Sequence, residues 1–246
     1  MVDCNDYKER LIIAGLKTPE HIVQFALWFT IRRRNSHSSV CSPYSTNGNE
    51  YSDVTMLIVT YRTKADHVRP FVPDVLELED EPLVTAMLLS HGMSTFGTYQ
   101  GNEAAVFCGR EQLGYPKKFG PVSLALQTGS SVIKGHAEYP AGQRVVQFNY
   151  SPLRRLEEVV FPAKRSLNLR VIPSAIPDQS PSVKEFIPFV ADFASDEAWE
   201  GAGSISFHEP SGFHLLHRVE VLRYESAILV RRGTCAIRSA TEVFPL

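Results

Sequence analysis

The sequence predicts an α+β domain that is mainly antiparallel β, a closed barrel or a sandwich with a few helices around it. Two observations predict this. From residue 51 onward, short apolar runs follow one another at close spacing with turn residues between them, the texture of many short strands. The chain also has no internal repeat and no glycine-rich phosphate loop, which removes the usual signs of a parallel βαβ sheet built around a nucleotide.

The elements follow in order. Residues 1–35 read as mostly helical, because Leu11, Ile12 and Leu16, then Ile22, Val23, Ala26 and Leu27, recur at three- and four-residue steps. Thr18 suits an N-cap and Pro19 the first helical position. Residues 35–50, dense in Ser, Asn, Pro and Gly, read as a linker. This divides the chain into an N-terminal helical segment and linker (1–50) and a main domain (51–246). The run MLIVTYRT (Met56–Thr63) is β-branched and aromatic and predicts a strand. A short helix and turns follow, set by Pro70, Pro73 and Pro82. Further strands are predicted in LVTAMLLS, AAVFCG, PVSLALQT, SVIKGHAEY, RVVQFNYS, LNLRVIP, GSISFHE and HRVEVLRYESAILVRRGTCAI.

Composition narrows the function. The 246 residues are 43% hydrophobic and 21% charged, enough for a sizeable core. A formal net charge of -2 excludes nucleic acid and anionic membrane as main partners, since both require a concentrated basic surface. Cys4, Cys41, Cys108 and Cys235 are scattered and form no CxxC pair, which fits a reducing compartment better than a disulfide framework or zinc site. The opening MVDCNDYKER lacks the basic-then-apolar order of a secretory signal, so the expected location is the cytoplasm.

One segment carries chemistry: Gly109-Arg-Glu-Gln-Leu-Gly-Tyr-Pro-Lys-Lys-Phe-Gly120. Lys117 and Lys118 are adjacent, with apolar runs upstream and downstream. Neighbouring ammonium groups repel, and desolvation of one adds to the effect, so both factors favour a neutral amine. A neutral lysine amine is what Schiff-base formation with a ketone requires. On pattern alone, the same Lys-Lys pair also fits an exposed turn.

The string GREQLGYPKKFG closely resembles the signature of the acetoacetate decarboxylase family, approximately GRE-x-x-x-YPKK. YRTKADHVRPFVPDVLELEDEPLV, LNLRVIP and DEAWEGAGSISF resemble further family segments, so the likeness spans residues ~51–246 in register at several points. The resemblance implies a barrel with peripheral helices, a homo-oligomer, a small-molecule keto acid as substrate, and no cofactor. It assigns the Schiff base to Lys117 and the neighbouring charge that activates it to Lys118. That activation scheme is the one known for acetoacetate decarboxylase itself and is carried over with the motif rather than derived from spacing. Arg110 and Glu111, inside the signature, form either a structural ion pair or a contact to the substrate carboxylate; Glu103 could stand in for a missing carboxylate.

The match also breaks. A glutamate that the family places just after E-P-L-V falls at Met87. A second carboxylate has no counterpart in Gly97-Thr98-Tyr99-Gln100-Gly101, and an arginine ahead of the first strand has none near Asn49-Glu50-Tyr51. Between Gln100 and Asn102 the chain lacks roughly two dozen residues relative to the family, so the barrel is expected to lack a strand pair. A divergent enzyme with a less polar pocket and a rearranged, impaired chain are both consistent with these gaps.

Other constellations are weaker. His208, His214 and His217 with Glu209 could hold a metal only in a fixed geometry. Ser94 with His91 has no G-x-S-x-G elbow and no third member. The expected activity is cofactor-independent decarboxylation of a β-keto acid through a lysine Schiff base, in a polyketide-type pathway. The alternatives are a Schiff-base aldolase or dehydratase, and a non-catalytic or inactive barrel that binds an apolar ligand.

Overall fold

A computed structural model describes residues 25–30, 49–94, 120–157, 165–208, 215–238 and 240–246. Eleven strands form one sheet: β1 (Phe25–Thr30), β2 (Asn49–Arg62), β3 (Leu83–Ser94), β4 (Val122–Leu126), β5 (Ile133–Glu138), β6 (Arg144–Leu156), β7 (Arg165–Ile172), β8 (Val183–Ala194), β9 (Glu197–Phe207), β10 (Arg223–Arg238) and β11 (Phe244–Pro245). The main path runs β1-β3-β2-β10-β9-β6-β5-β4. Among the described residues every pairing is antiparallel except β1 with β3. The path curls into a nearly closed barrel. Helix α1 (Ala65–Val68) and the 3₁₀ turns at Arg69–Phe71 and Leu216–Arg218 lie at one end.

The alternation expected of a strand with two dissimilar faces decides which side chains meet. On one face Leu57, Val59, Tyr61, Val84, Ala86, Leu88, Val146, Phe148, Tyr150, Ala227 and Leu229 form the barrel interior. On the other, Val54, Met56, Ile58, Met87, Leu89 and Val230 pack beneath Ile187 and Ala191 of β8. β2 and β3 are therefore apolar on both sides, which explains why strict alternation is weak in their sequences. Each fully buried large side chain contributes about 1.5–3 kcal/mol.

Small residues admit close packing. A Cβ on Gly201 would come 2.2 Å from Ser151 O and 2.7 Å from Tyr150 Cζ. The Tyr150 ring therefore lies across β9, and its hydroxyl donates to Trp199 O at 2.7 Å. Burial pushes that phenol up to about 12. Gly203 similarly meets Ala227, with its Cβ position 2.3 Å from the Ala227 Cβ.

β10 changes partner along one edge. Ile228–Arg231 pair with β9, and Thr234–Arg238 pair with β8. Between them Arg232 adopts φ 51° and the register to β2 shifts, a bulge that bends the strand from one neighbour to the next. The β8–β9 turn sits at this point, where Ser195 Oγ donates to Arg231 O at 2.7 Å and Arg232 pairs with Glu197 at 3.1 Å.

Two expectations change. Residues 25–30 form strand β1 where the periodicity predicted helix; pairing with β3 overrides a weak local preference. β8 was not among the predicted strands, because Pro188 interrupts its run. In the fold, Pro188 stands between the stretch paired with β11 (Glu185, Phe186) and the stretch paired with β10 (Val190 onward), so that edge carries no ladder for a missing N–H to interrupt. The predicted strand AAVFCG (104–109) lies outside the described residues.

Candidate active site

Lys117, Lys118, Arg110, Glu111 and Glu103 lie outside the described residues. The structure does fix the point at which their segment joins the barrel. Gly120, the last residue of the signature, rests against the end of β5: a Cβ there would come 1.9 Å from Glu138 O, so only glycine fits without moving backbone. The next residue accepts a hydrogen bond, Glu138 N donating to Pro121 O at 2.9 Å. The signature thus enters at the barrel end that holds Arg62, Leu83, Glu138, Arg144, Phe207 and Arg223.

That end is braced by charge. Arg62 and Arg223 face each other across β2 and β10, a repulsive pair taken alone. Arg62 donates to Glu79 Oε2 and to Glu81 O, both at 2.8 Å. Arg223 pairs with Glu81 and with Glu225, the latter at 3.1 Å. Arg69 donates to the carbonyls of Val72, Pro73 and Leu76 at 2.7, 2.7 and 3.1 Å, holding the Pro73 turn closed.

The same end collects buried polar atoms without hydrogen-bond partners among the described residues: Tyr61 Oη, Thr63 Oγ1, His67 Nδ1, His208 Nε2 and His217 Nδ1. Tyr61 and Thr63 are fully buried. Burial, with a smaller contribution from Tyr224, holds the Tyr61 phenol well above its usual range, so it remains a protonated donor at neutral pH. Unsatisfied buried groups are rare and concentrate where a ligand or solvent is received. Sequence reading missed Tyr61 and Thr63 as site residues; both lie in the YRT string, read there as the end of a strand and a point of resemblance.

The opposite face of β3 is apolar at the position that the resemblance aligns with a glutamate. Met87 is buried among Val54, Met56, Ile58, Leu89 and Ile187. A carboxylate placed there would need a partner that this wall does not offer. The thiol of Cys235 lies in the same cluster, pushed up to about 12 by burial and by Asp192.

The Ser94–His91 pair does not assemble. Ser94 and His91 are three residues apart on β3, which places them on opposite faces of the strand. His91 instead stacks near Tyr51, ring centroids 4.5 Å apart. Among the described residues no group of three or more His, Cys, Asp or Glu side chains could hold a metal; His214 and Glu209 lie outside them.

The sequence matches the family described as "Acetoacetate decarboxylase (ADC)" over residues 33–101 and 95–241. The chain belongs to the acetoacetate decarboxylase family. The match begins earlier than the resemblance did, near the end of the segment read as helical. Decarboxylase DEC1 of Cochliobolus heterostrophus is 34% identical over 215 residues, covering 75% of this chain and 83% of that protein. The acetoacetate decarboxylase of Clostridium acetobutylicum is 28% identical over 187 residues, covering 65% and 72%. In fold, the acetoacetate decarboxylase of Legionella pneumophila superposes with a TM-score of 0.68 over 84% of this chain and 91% of that one, at 19% identity. Among the described residues no helix is long and apolar enough to cross a membrane.

Proposed function

We propose that this chain decarboxylates a β-keto acid through a Schiff base on Lys117, giving a ketone and CO2, as a homo-oligomer of the cytoplasm. The observation that carries the reading is the intact GREQLGYPKKFG string in a chain that belongs to the acetoacetate decarboxylase family. The Lys117 amine adds to the ketone and water leaves, forming an iminium. The bond to the carboxylate breaks, CO2 departs, and its electron pair moves into the iminium to give an enamine. A proton adds at carbon, water hydrolyses the new iminium, and ketone and amine are released. Lys118 raises the neutral fraction of its neighbour by charge repulsion. Arg110 is assigned to the substrate carboxylate, with Glu111 as its ion partner, and Glu103 to the place of a lost carboxylate.

The substrate proposed is longer and more apolar than acetoacetate. Support comes from Met87, buried in an apolar cluster at the position that the resemblance aligns with a glutamate. β-Keto acids of that kind are released by two-carbon chain elongation, as in polyketide assembly.

The test is reductive trapping. The protein is incubated with a β-keto acid and borohydride, CO2 is measured, and the adduct is mapped by mass spectrometry. The expected result is an adduct on Lys117 with CO2 release, both lost in Lys117→Ala. An adduct without CO2 would move the assignment to an aldol or dehydration step. Absence of any adduct on correctly folded protein would leave only the ligand-binding or inactive barrel.

A further inference from the structure

We propose that residues 25–30 serve as a replacement edge strand, covering a β3 edge left open by a loss of chain between β3 and β4. Three independent observations meet here. The first is the loss itself. Against DEC1 the alignment spans 215 positions, while 75% of 246 residues is about 185, so about 30 positions have no residue in this chain. The family matches in two segments that meet at residues 95–101, which places the break just after β3 ends at Ser94.

The second is what lies along β3. One edge is bonded to β2 over nearly its whole length. The other pairs with β1 in parallel, Phe25 opposite Val84 through Thr30 opposite Leu89. This is the sheet's only parallel pairing among the described residues. It is made by a segment that lies before the family match, which starts at residue 33. A sheet whose other neighbours are all antiparallel has acquired one strand from elsewhere in the chain.

The third is sequence. Phe25-Ala-Leu-Trp-Phe-Thr30 carries no charge, has no proline or glycine, and is half aromatic, a composition suited to pairing against a strand that is apolar on both faces. β3 displays Val84, Ala86 and Leu88 to one side and Met87 and Leu89 to the other. Left bare, such an edge would present a row of unpaired N–H and C=O groups flanked by apolar side chains, a template for aggregation. The charged block Arg32-Arg33-Arg34 follows after Ile31, a flank that resists further strand addition.

Hydrogen exchange on the unaltered full chain decides first. Amides of residues 25–30 are expected to exchange at least tenfold slower than an unstructured peptide and on the timescale of Leu83–Leu89. Exchange at the unstructured rate overturns the proposal. Causality is read from the double variant Ala26→Pro/Leu27→Pro; alternate residues of an edge strand face the neighbour, so one of the two must remove a pairing N–H. About half the amides of Leu83–Leu89, those turned toward β1, should lose protection tenfold or more, with β9 and β10 unchanged. Concentration-dependent self-association should appear, and a peptide of residues 22–33 should reverse it. Unchanged protection in β3 overturns the proposal. Global loss of protection that the peptide fails to reverse overturns it equally, because a replacement strand must act when supplied in trans.

Discussion

The ion pair between Arg170 and Glu185 offers a test of how β8 is held over the second apolar cluster. The two residues are directly opposite across β7 and β8, and their side chains are 25% and 11% exposed. Removing one partner of a buried pair costs about 3–5 kcal/mol, because the survivor is stranded in a poor solvent. Arg170 is a quarter exposed, so water reaches the pair and the figure must be discounted. Arg170→Met should cost about 2–3 kcal/mol, since the nearly buried carboxylate is left behind. Glu185→Met leaves the more exposed guanidinium and should cost about 1–1.5 kcal/mol. The double variant Arg170→Met/Glu185→Met restores a consistent apolar contact and should lie within about 1 kcal/mol of the parent. The assay is urea denaturation of all four proteins at one pH, analysed as a double-mutant cycle at low and high salt. A partly buried pair should lose little coupling between the two salt concentrations. Additivity of the single variants within about 0.5 kcal/mol would refute the reasoning, and so would a double variant as unstable as the sum.

Two further outcomes follow from the barrel. A Cβ on Gly135 would sit 2.2 Å from Leu88 Cδ1 and 3.1 Å from Ser123 O, so Gly135→Ala should destabilise by about 1–3 kcal/mol. Leu88→Ala relieves the same clash, so the double variant should cost less than the sum of the two single ones, and chemical denaturation of all three checks it. His136 takes its proton less readily than an ordinary imidazole, first because of desolvation, then because of Arg144, with Glu138 opposing. Its folded value lies below 6.5, so the unfolded chain binds more protons in the window between the two, and stability rises with pH there. Stability should fall as pH drops through that window, and His136→Gln should flatten the profile; parallel profiles from urea midpoints at several pH values would dismiss the assignment.

Much of this architecture is legible in the sequence, for physical reasons that differ by element. β2 and β6 announce themselves because β-branched and aromatic residues crowd between turn residues. The signature is legible because Pro116, two lysines and a closing glycine form a rare string. β8 is hidden by Pro188, which disqualifies a strand unless one knows that its edge changes partners at that point. β1 is hidden because FALWFT fits a helical spacing as well as a strand, and only β3 decides between them. The candidate site is legible as chemistry and not as geometry. Nothing local to Gly120 signals that Glu138 lies against it, and nothing local to Tyr61 signals that its hydroxyl is buried without a partner.

The partner change in β10 also governs where this chain can alter its length. The two-residue turn between β8 and β9 is tied to Arg231 and Arg232, and both ladders on that edge of β10 are counted from it. An added residue at Ser195 or Asp196 would put two strands out of step at once and turn their apolar sets toward water. The stretch from Pro173 to Ser182 is different: it is largely exposed and sets no pairing beyond its own hairpin. A reporter peptide or an affinity tag inserted near Asp178 would leave every ladder in register, so this hairpin tip is the natural port for labelling the folded protein.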